Sequence, residues 1–259
     1  MSIVKIALKS VLHPIRRAAG RFVLSQEPLN SSIIWKAAQI TSAELVEGDY
    51  LEFGVFRGDS FIQAFKTIEA VYRERCEDQG HTHSRHYRAR VQELWSTMRF
   101  FAFDSFQGFP AIKGLDALSN DFSETNFAFP LEDFKRKLRA ASVDASKVAV
   151  VPGYFEDTCR AQTIEEHGMK AASIIHIDCD LYESTKACLN FILPLLVDGT
   201  VVIFDDWYCF RGNPALGEQR AFAEWASGIT DWTFSQYQKE GPWRNSFIAN
   251  RREECGALR

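Results

Sequence analysis

Residues 174–208 constrain this chain more than any other stretch. The run Ile174, Ile175, Ile177 is short, apolar and β-branched, and it stops at Asp178-Cys179-Asp180. A helical pattern follows, with apolar residues at Ala187, Leu189, Ile192, Leu193 and Leu196, and Asp198-Gly199 is expected to end it. A second apolar run, Thr200 to Phe204, stops at Asp205-Asp206. Strand, helix and strand in about 30 residues make a βαβ unit with parallel strands. The crossover is right-handed by a strong rule, so both strands end on one edge of the sheet. Open α/β sheets bind ligands at that carboxyl edge. Four carboxylates therefore gather where a ligand belongs, and their repulsion calls for a cation or a cationic ligand.

The rest of the chain has room for one such domain. At 259 residues it can bury a full α/β core. A net charge of −4 argues against a nucleic-acid partner. Six cysteines without a CxxC pair suit reduced thiols and a cytoplasmic location, and no apolar run reaches membrane-spanning length. Residues 1–30 form a basic, amphipathic arm. Lys5, Lys9, Arg16, Arg17 and Arg21 alternate there with apolar residues, and Pro14 interrupts them. The arm is expected to pack on the domain or on another subunit of a homo-oligomer, with a membrane-surface helix as the alternative. Residues 31–259 are expected to be a single domain.

Before the central unit, Asn30-Ser31-Ser32 can cap a helix running toward Gly48, and Tyr50–Phe53 is expected as a strand. The turn Gly54-Val55-Phe56-Arg57-Gly58-Asp59-Ser60 leads into a helix from Phe61 to about Arg75. Residues 76–97 are polar and are expected to be a solvated surface insertion. His81, His83 and His86 within it have no common metal-site spacing. A second strand, Arg99 to Asp104, ends in an acid. Residues 111–130 are aperiodic and long for a connection, the pattern of a lid. A helix at Leu131–Ala140, a strand at Val148–Val151 and a short helix near Thr163–His167 precede the central unit. A helix around Glu218–Ala226 and strands at Trp232–Gln238 and Ser246–Ala249 follow it.

The turn after the first strand, E-x-G-x-x-x-G, is neither a P-loop nor a dinucleotide fingerprint. Its glycines, Gly54 and Gly58, permit close backbone approach to a ligand, although a plain structural turn reads the same way. Asp104 follows about one unit later and can accept ribose hydroxyls. Glu52 at the turn disfavours a pyrophosphate and suits a cationic ligand. Ribose and positive charge together describe S-adenosylmethionine. The acidic edge reads as a metal site on Asp178, Asp205 and Asp206, with Asp180 ranked below them. The motif Asp178-x-Asp180 also admits a nucleotide-sugar glycosyltransferase, and a non-catalytic binding protein on the same fold is a further alternative. His176 shares a strand face with Asp178 and is either a satisfied core histidine or a base.

The segments YLEFGVFRGDS, FAFDSFQGFP, VPGYFEDT, IDCDLYESTKACLNFILPLL and VIFDDW together resemble the sugar O-methyltransferases of the macrocin and mycinamicin type. The resemblance implies a Rossmann-like class I methyltransferase fold, a mostly parallel seven-stranded sheet with helices on both faces. It implies S-adenosylmethionine held by Glu52, Gly54, Phe56, Gly58 and Ser60, with Asp104 and Ser105 on the ribose. Gly153, Tyr154 and Phe155 would line the adenine, and Asp178 and Asp180 would border the cofactor. It further implies Mg²⁺ on Asp178, Asp205 and Asp206, a hydroxylated small-molecule acceptor such as a sugar, and catalysis by that acidic group with His176. The lysine base of catechol O-methyltransferase has no counterpart, because Leu181 stands at its position.

Overall fold

The computed structural model describes residues 32–77, 84–112, 114, 116 and 128–252. The elements run α1 (Ile33–Ala43), β1 (Asp49–Phe53), α2 (Asp59–Glu77), α3 (Arg85–Thr97), β2 (Phe100–Asp104) and α4 (Leu131–Ala140). They continue with β3 (Val148–Pro152), α5 (Phe155–Thr158), α6 (Ala161–His167), β4 (Ala172–Ile177), α7 (Tyr182–Ile192) and β5 (Leu196–Phe204). Helix α8 (Gly217–Ser227) and the hairpin β6 (Trp232–Glu240) and β7 (Arg244–Arg251) follow. The sheet order is β3-β2-β1-β4-β5-β7-β6. Strands β1 to β5 pair in parallel, and β7 runs antiparallel against both β5 and β6.

The sequence explains this layering. Successive side chains of a strand face opposite sides of the sheet, and here both sides are apolar. Tyr50, Ile174, Val201 and Ile203 belong to one buried cluster, with Phe61 and Phe65 of α2, Val91 of α3 and Phe134 of α4. Their neighbours Leu51, Phe53, Ile175, Ile177, Val202 and Phe204 belong to a second cluster, with Leu189 and Ile192 of α7 and Phe222 of α8. A strand buried on both faces must sit inside a sheet covered by helices on both sides.

Two sequence expectations need correction. Helix α7 does not run to Asp198-Gly199. Pro194 closes it in a single 3₁₀ turn, and β5 already begins at Leu196. Asp198-Gly199 instead lies in a β-bulge, where pairing with β4 shifts from Ala172–Leu196 to Ile174–Val201. Within the stretch expected to be a solvated insertion, residues 85–97 form a packed helix. Ser84 caps α3 through the Tyr87 amide, and the helix buries Val91 and Leu94. Trp95 packs edge-on against Phe65 and Phe100. His86 is exposed on α3, while His81 and His83 lie outside the described residues, as do the arm at 1–30 and most of 111–130.

Candidate active site

Strands β1, β3, β4 and β5 each extend their ladder one residue past their end, and this holds the site loops in register. The Gly54 amide donates to Phe103 O, Gly153 to Asp104 O, Asp178 to Phe53 O and Asp205 to Ile177 O, all at 2.8–2.9 Å. Above these ends lies a cavity of about 680 Å³. Gly54, Phe56, Asp104, Ser105, Gly153, Tyr154 and Phe155 line one part of it, and Asp178, Asp180, Asp205 and Asp206 line another. The sequence-derived cofactor and metal residues thus largely share one continuous space.

The Gly-rich turn is tied to that space by Asp104. One carboxylate oxygen accepts the Val55 and Phe56 amides at 2.9 and 2.8 Å, and the other accepts the Phe106 amide at 2.6 Å. Burial raises this carboxyl, and the three amides oppose the rise. Oδ2 already takes two amides, so the lone pair still open to a hydroxyl donor is on Oδ1. Gly54, at φ +89°, is the tightest point: a Cβ there would stand 1.7 Å from Asp178 O. Gly58 is required for a different reason, because its Cβ would meet the Phe134 ring at 2.7 Å.

Glu52, Ser60, Gly58 and His176 stand behind the cavity wall rather than in its lining. Glu52 is fully buried and accepts from Ser60 Oγ at 2.6 Å and from the Tyr50 hydroxyl. Its other neighbour is His176, whose Nδ1 lies 3.7 Å away. His176 Nε2 meets Asp205 Oδ1 at 3.0 Å, and Arg244 Nε donates to the same oxygen at 2.5 Å. Burial alone would lower His176, but Asp205 and Glu52 outweigh it and raise the imidazole to about 10. Burial alone would raise Asp205, but His176 and Arg244 outweigh it and hold the carboxyl at about 2. His176 therefore links Glu52 of β1 to Asp205 on the acidic edge, by a hydrogen bond at Nε2 and by proximity at Nδ1.

The other acids lack such partners. Ligand oxygens of Asp178, Asp180 and Asp206 lie within 4.8 Å of one another, and Asp178 also falls within that distance of His176 and Asp205. Asp180 reaches the group because it adopts a left-handed backbone, φ +58°, just past the strand. Burial, then repulsion from Asp206, raises Asp180 to about 8. Burial and the neighbouring acids also push Asp178 and Asp206 up. Asp206 Oδ2 is buried and unpartnered, while its Oδ1 accepts from Cys209 Sγ at 3.3 Å. An all-oxygen group with an orphaned buried oxygen fits a hard divalent cation.

Three contributors leave no signal in the sequence. Glu218 of α8 is buried and accepts the Asp206 amide at 3.0 Å. Arg244 comes from β7, and only the antiparallel pairing of β7 on β5 brings it to Asp205. Asp116, in the segment expected to be a lid, caps α7 through the Tyr182 and Glu183 amides at 2.7 and 3.3 Å. Asp116, rather than the neighbouring Asp180, therefore caps α7.

Strand order, reversed last strand and a carboxyl-edge cavity define a Rossmann-like methyltransferase fold of class I. Solved structures agree at the level of fold: the O-methyltransferase NovP aligns with a TM-score of 0.61 and 21% identity, covering 83% of this chain and 77% of that one. A calicheamicin methyltransferase aligns with a TM-score of 0.60 and 24% identity over 85% of this chain and 77% of its own. The family model for macrocin O-methyltransferase matches residues 88–225, more than half of the sequence, and the chain belongs to that family. A tetracenomycin-C 4'-O-methyltransferase of Streptomyces olivaceus, acting on a dimethoxyrhamnosyl derivative by its name, is 30% identical over 69% of this chain. Demethyldecarbamoylnovobiocin O-methyltransferase of Streptomyces niveus is 28% identical over 68%. The matches span 60% and 59% of those relatives' own lengths. No helix among the described residues is long and apolar enough to cross a membrane.

Proposed function

We propose that this chain moves a methyl group from S-adenosylmethionine to a hydroxyl of a sugar or another vicinal-diol small molecule, with Mg²⁺ at the acidic edge. The observation that carries the proposal is the single cavity that joins the Gly54–Asp104–Phe155 region to the four aspartates. Family membership supports the methyl donor, and the names of the relatives support a sugar hydroxyl as acceptor.

In this reading Asp104 and Ser105 receive the ribose, Tyr154 and Phe155 face the adenine, and the Gly54 turn lies along the amino-acid portion. Glu52 and Ser60 support the turn from behind through their mutual hydrogen bond. Asp178, Asp206 and Asp205 would hold the cation, and Asp178 belongs to both groups of candidate ligand side chains. Bound there, Mg²⁺ supplies Lewis acidity that lowers the pKa of an acceptor hydroxyl. Asp180 lines the cavity beside them and is the carboxylate assigned to receive the hydroxyl proton. His176 and Arg244 fix Asp205 rather than touch the acceptor. Alignment of sulfonium methyl and hydroxyl in one cavity accounts for much of the expected rate.

Isothermal titration separates this reading from its rivals. S-adenosylmethionine and S-adenosylhomocysteine should bind saturably at one site, and a panel of nucleotide sugars should not. Binding of a nucleotide sugar without S-adenosylmethionine would return the Asp178-x-Asp180 glycosyltransferase reading, and binding of neither would favour a non-catalytic protein.

A further inference from the structure

Helix α7 starts without a cap of its own. Leu181 stands at its N-cap position and offers no side-chain acceptor. The first amides of a helix have no partner inside it and must be satisfied elsewhere. The acceptor here is Asp116, 66 residues upstream of Tyr182 and almost completely buried at 3% exposure. Its two oxygens take the Tyr182 and Glu183 amides separately. A carboxylate at that end of a helix is also favoured by the helix dipole.

The location gives the cap its meaning. Residues 108–112 and Asp116 form one wall of the cavity, and Asp180, Leu181, Glu183 and Ser184 form another. The α7 side is anchored independently, since the Tyr182 hydroxyl donates to Glu224 of α8 at 2.5 Å. The loop just ahead of α7 carries Asp180 in its left-handed conformation.

We infer that Asp116 is a positioning residue: it clasps the cavity wall that it shares with residues 108–112 to the start of α7, holding that wall against the bound methyl donor and keeping the Asp180 turn in place. The inference rests on the proposed methyl-donor reading for what is enclosed. It makes ligand exchange depend on breaking two charge-assisted hydrogen bonds. The effect should fall on departure of the ligand more than on its arrival.

The test compares the wild-type chain with Asp116→Ala and Asp116→Asn by amide hydrogen exchange and by stopped-flow displacement of S-adenosylmethionine. In Asp116→Ala the Tyr182 and Glu183 amides should exchange at least about tenfold faster, the scale of a lost hydrogen bond to a charged group. The β4 amides should keep their protection and so report an intact fold. Release of S-adenosylmethionine should quicken by about tenfold with association little changed, and Asp116→Asn, which keeps one acceptor, should fall between. Unchanged exchange at Tyr182 and Glu183 would overturn the clasp. Unchanged release with those amides exposed would overturn its positioning role. If the wild-type chain binds no S-adenosylmethionine, the functional reading fails instead, and exchange in the free protein still decides whether the clasp exists.

Discussion

Gly54→Ala is the sharpest perturbation of the link between fold and site. The added Cβ would lie 1.7 Å from Asp178 O and 2.8 Å from Asp178 C, where an ordinary contact begins at 3.4 Å. Both atoms are backbone at the end of a buried strand, so no side chain can swing aside. The Asp178 carbonyl must retreat, and the hydrogen bond that the adjoining Asp178 N–H donates to Phe53 O, 2.8 Å in the native chain, is pulled apart with it. Forcing a non-glycine residue to φ +89° adds strain of about 1–3 kcal/mol. The broken buried hydrogen bond adds about 1–3 kcal/mol. A loss of about 2–6 kcal/mol follows, measurable by guanidinium unfolding with an unchanged m-value. Gly168→Ala is the control: φ is +55° with nothing within 4 Å, so only the left-handed backbone penalty of about 1–2 kcal/mol applies. If Gly54→Ala were no more destabilising than Gly168→Ala, the claim that this turn and the Asp178 strand end are packed as one unit would be refuted.

Other outcomes follow from the same geometry. Asp104→Ala should weaken S-adenosylmethionine binding by about 1–3 kcal/mol in titration calorimetry, because the Val55, Phe56 and Phe106 amides lose their acceptor and the turn loosens; unchanged affinity would remove Asp104 from the site. In chelator, stability should fall as pH rises from 4 to 8, read as a falling thermal midpoint. Asp180 binds its proton more tightly when folded, since its pKa is near 8 rather than 3.8. Asp205, held near 2, contributes fully above 3.8 and adds no slope in that window. His176, near 10, reinforces the decline above 6.5. Mg²⁺ should flatten the profile, and a midpoint that rises from pH 5 to 8 in chelator would contradict the acid cluster.

The parallel part of the sheet is legible in the sequence because β1, β2, β4 and β5 are apolar and each gives way to a Gly or an Asp at its carboxyl end. Phe53-Gly54, Phe103-Asp104, Ile177-Asp178 and Phe204-Asp205 mark the carboxyl edge by residue type alone. Helix α3 is masked although Tyr87, Val91, Leu94, Trp95 and Met98 follow helical spacing, because arginines and glutamates fill positions between them. The end of α7 is misleading because Asp198-Gly199 reads as a terminator, whereas Pro194 acts first. Contacts between distant segments leave no local trace. The contacts of Asp116 with α7 and of Arg244 with Asp205 depend on how the chain folds back, as does the burial of Glu52 against Ser60 and Tyr50. The sequence names the acids but not which of them a basic partner neutralises. The structure assigns that role to Asp205 and leaves Asp178, Asp180 and Asp206 to one another.

The most direct measurement follows label from methyl-labelled S-adenosylmethionine into a panel of deoxysugar glycosides, with and without excess chelator. Label should enter a sugar hydroxyl as an O-methyl group, vanish in chelator while S-adenosylmethionine affinity stays nearly unchanged, and return with Mg²⁺. Asp206→Ala should reproduce the loss with the fold retained. Undiminished transfer in excess chelator would contradict the metal-assisted account of the acidic edge.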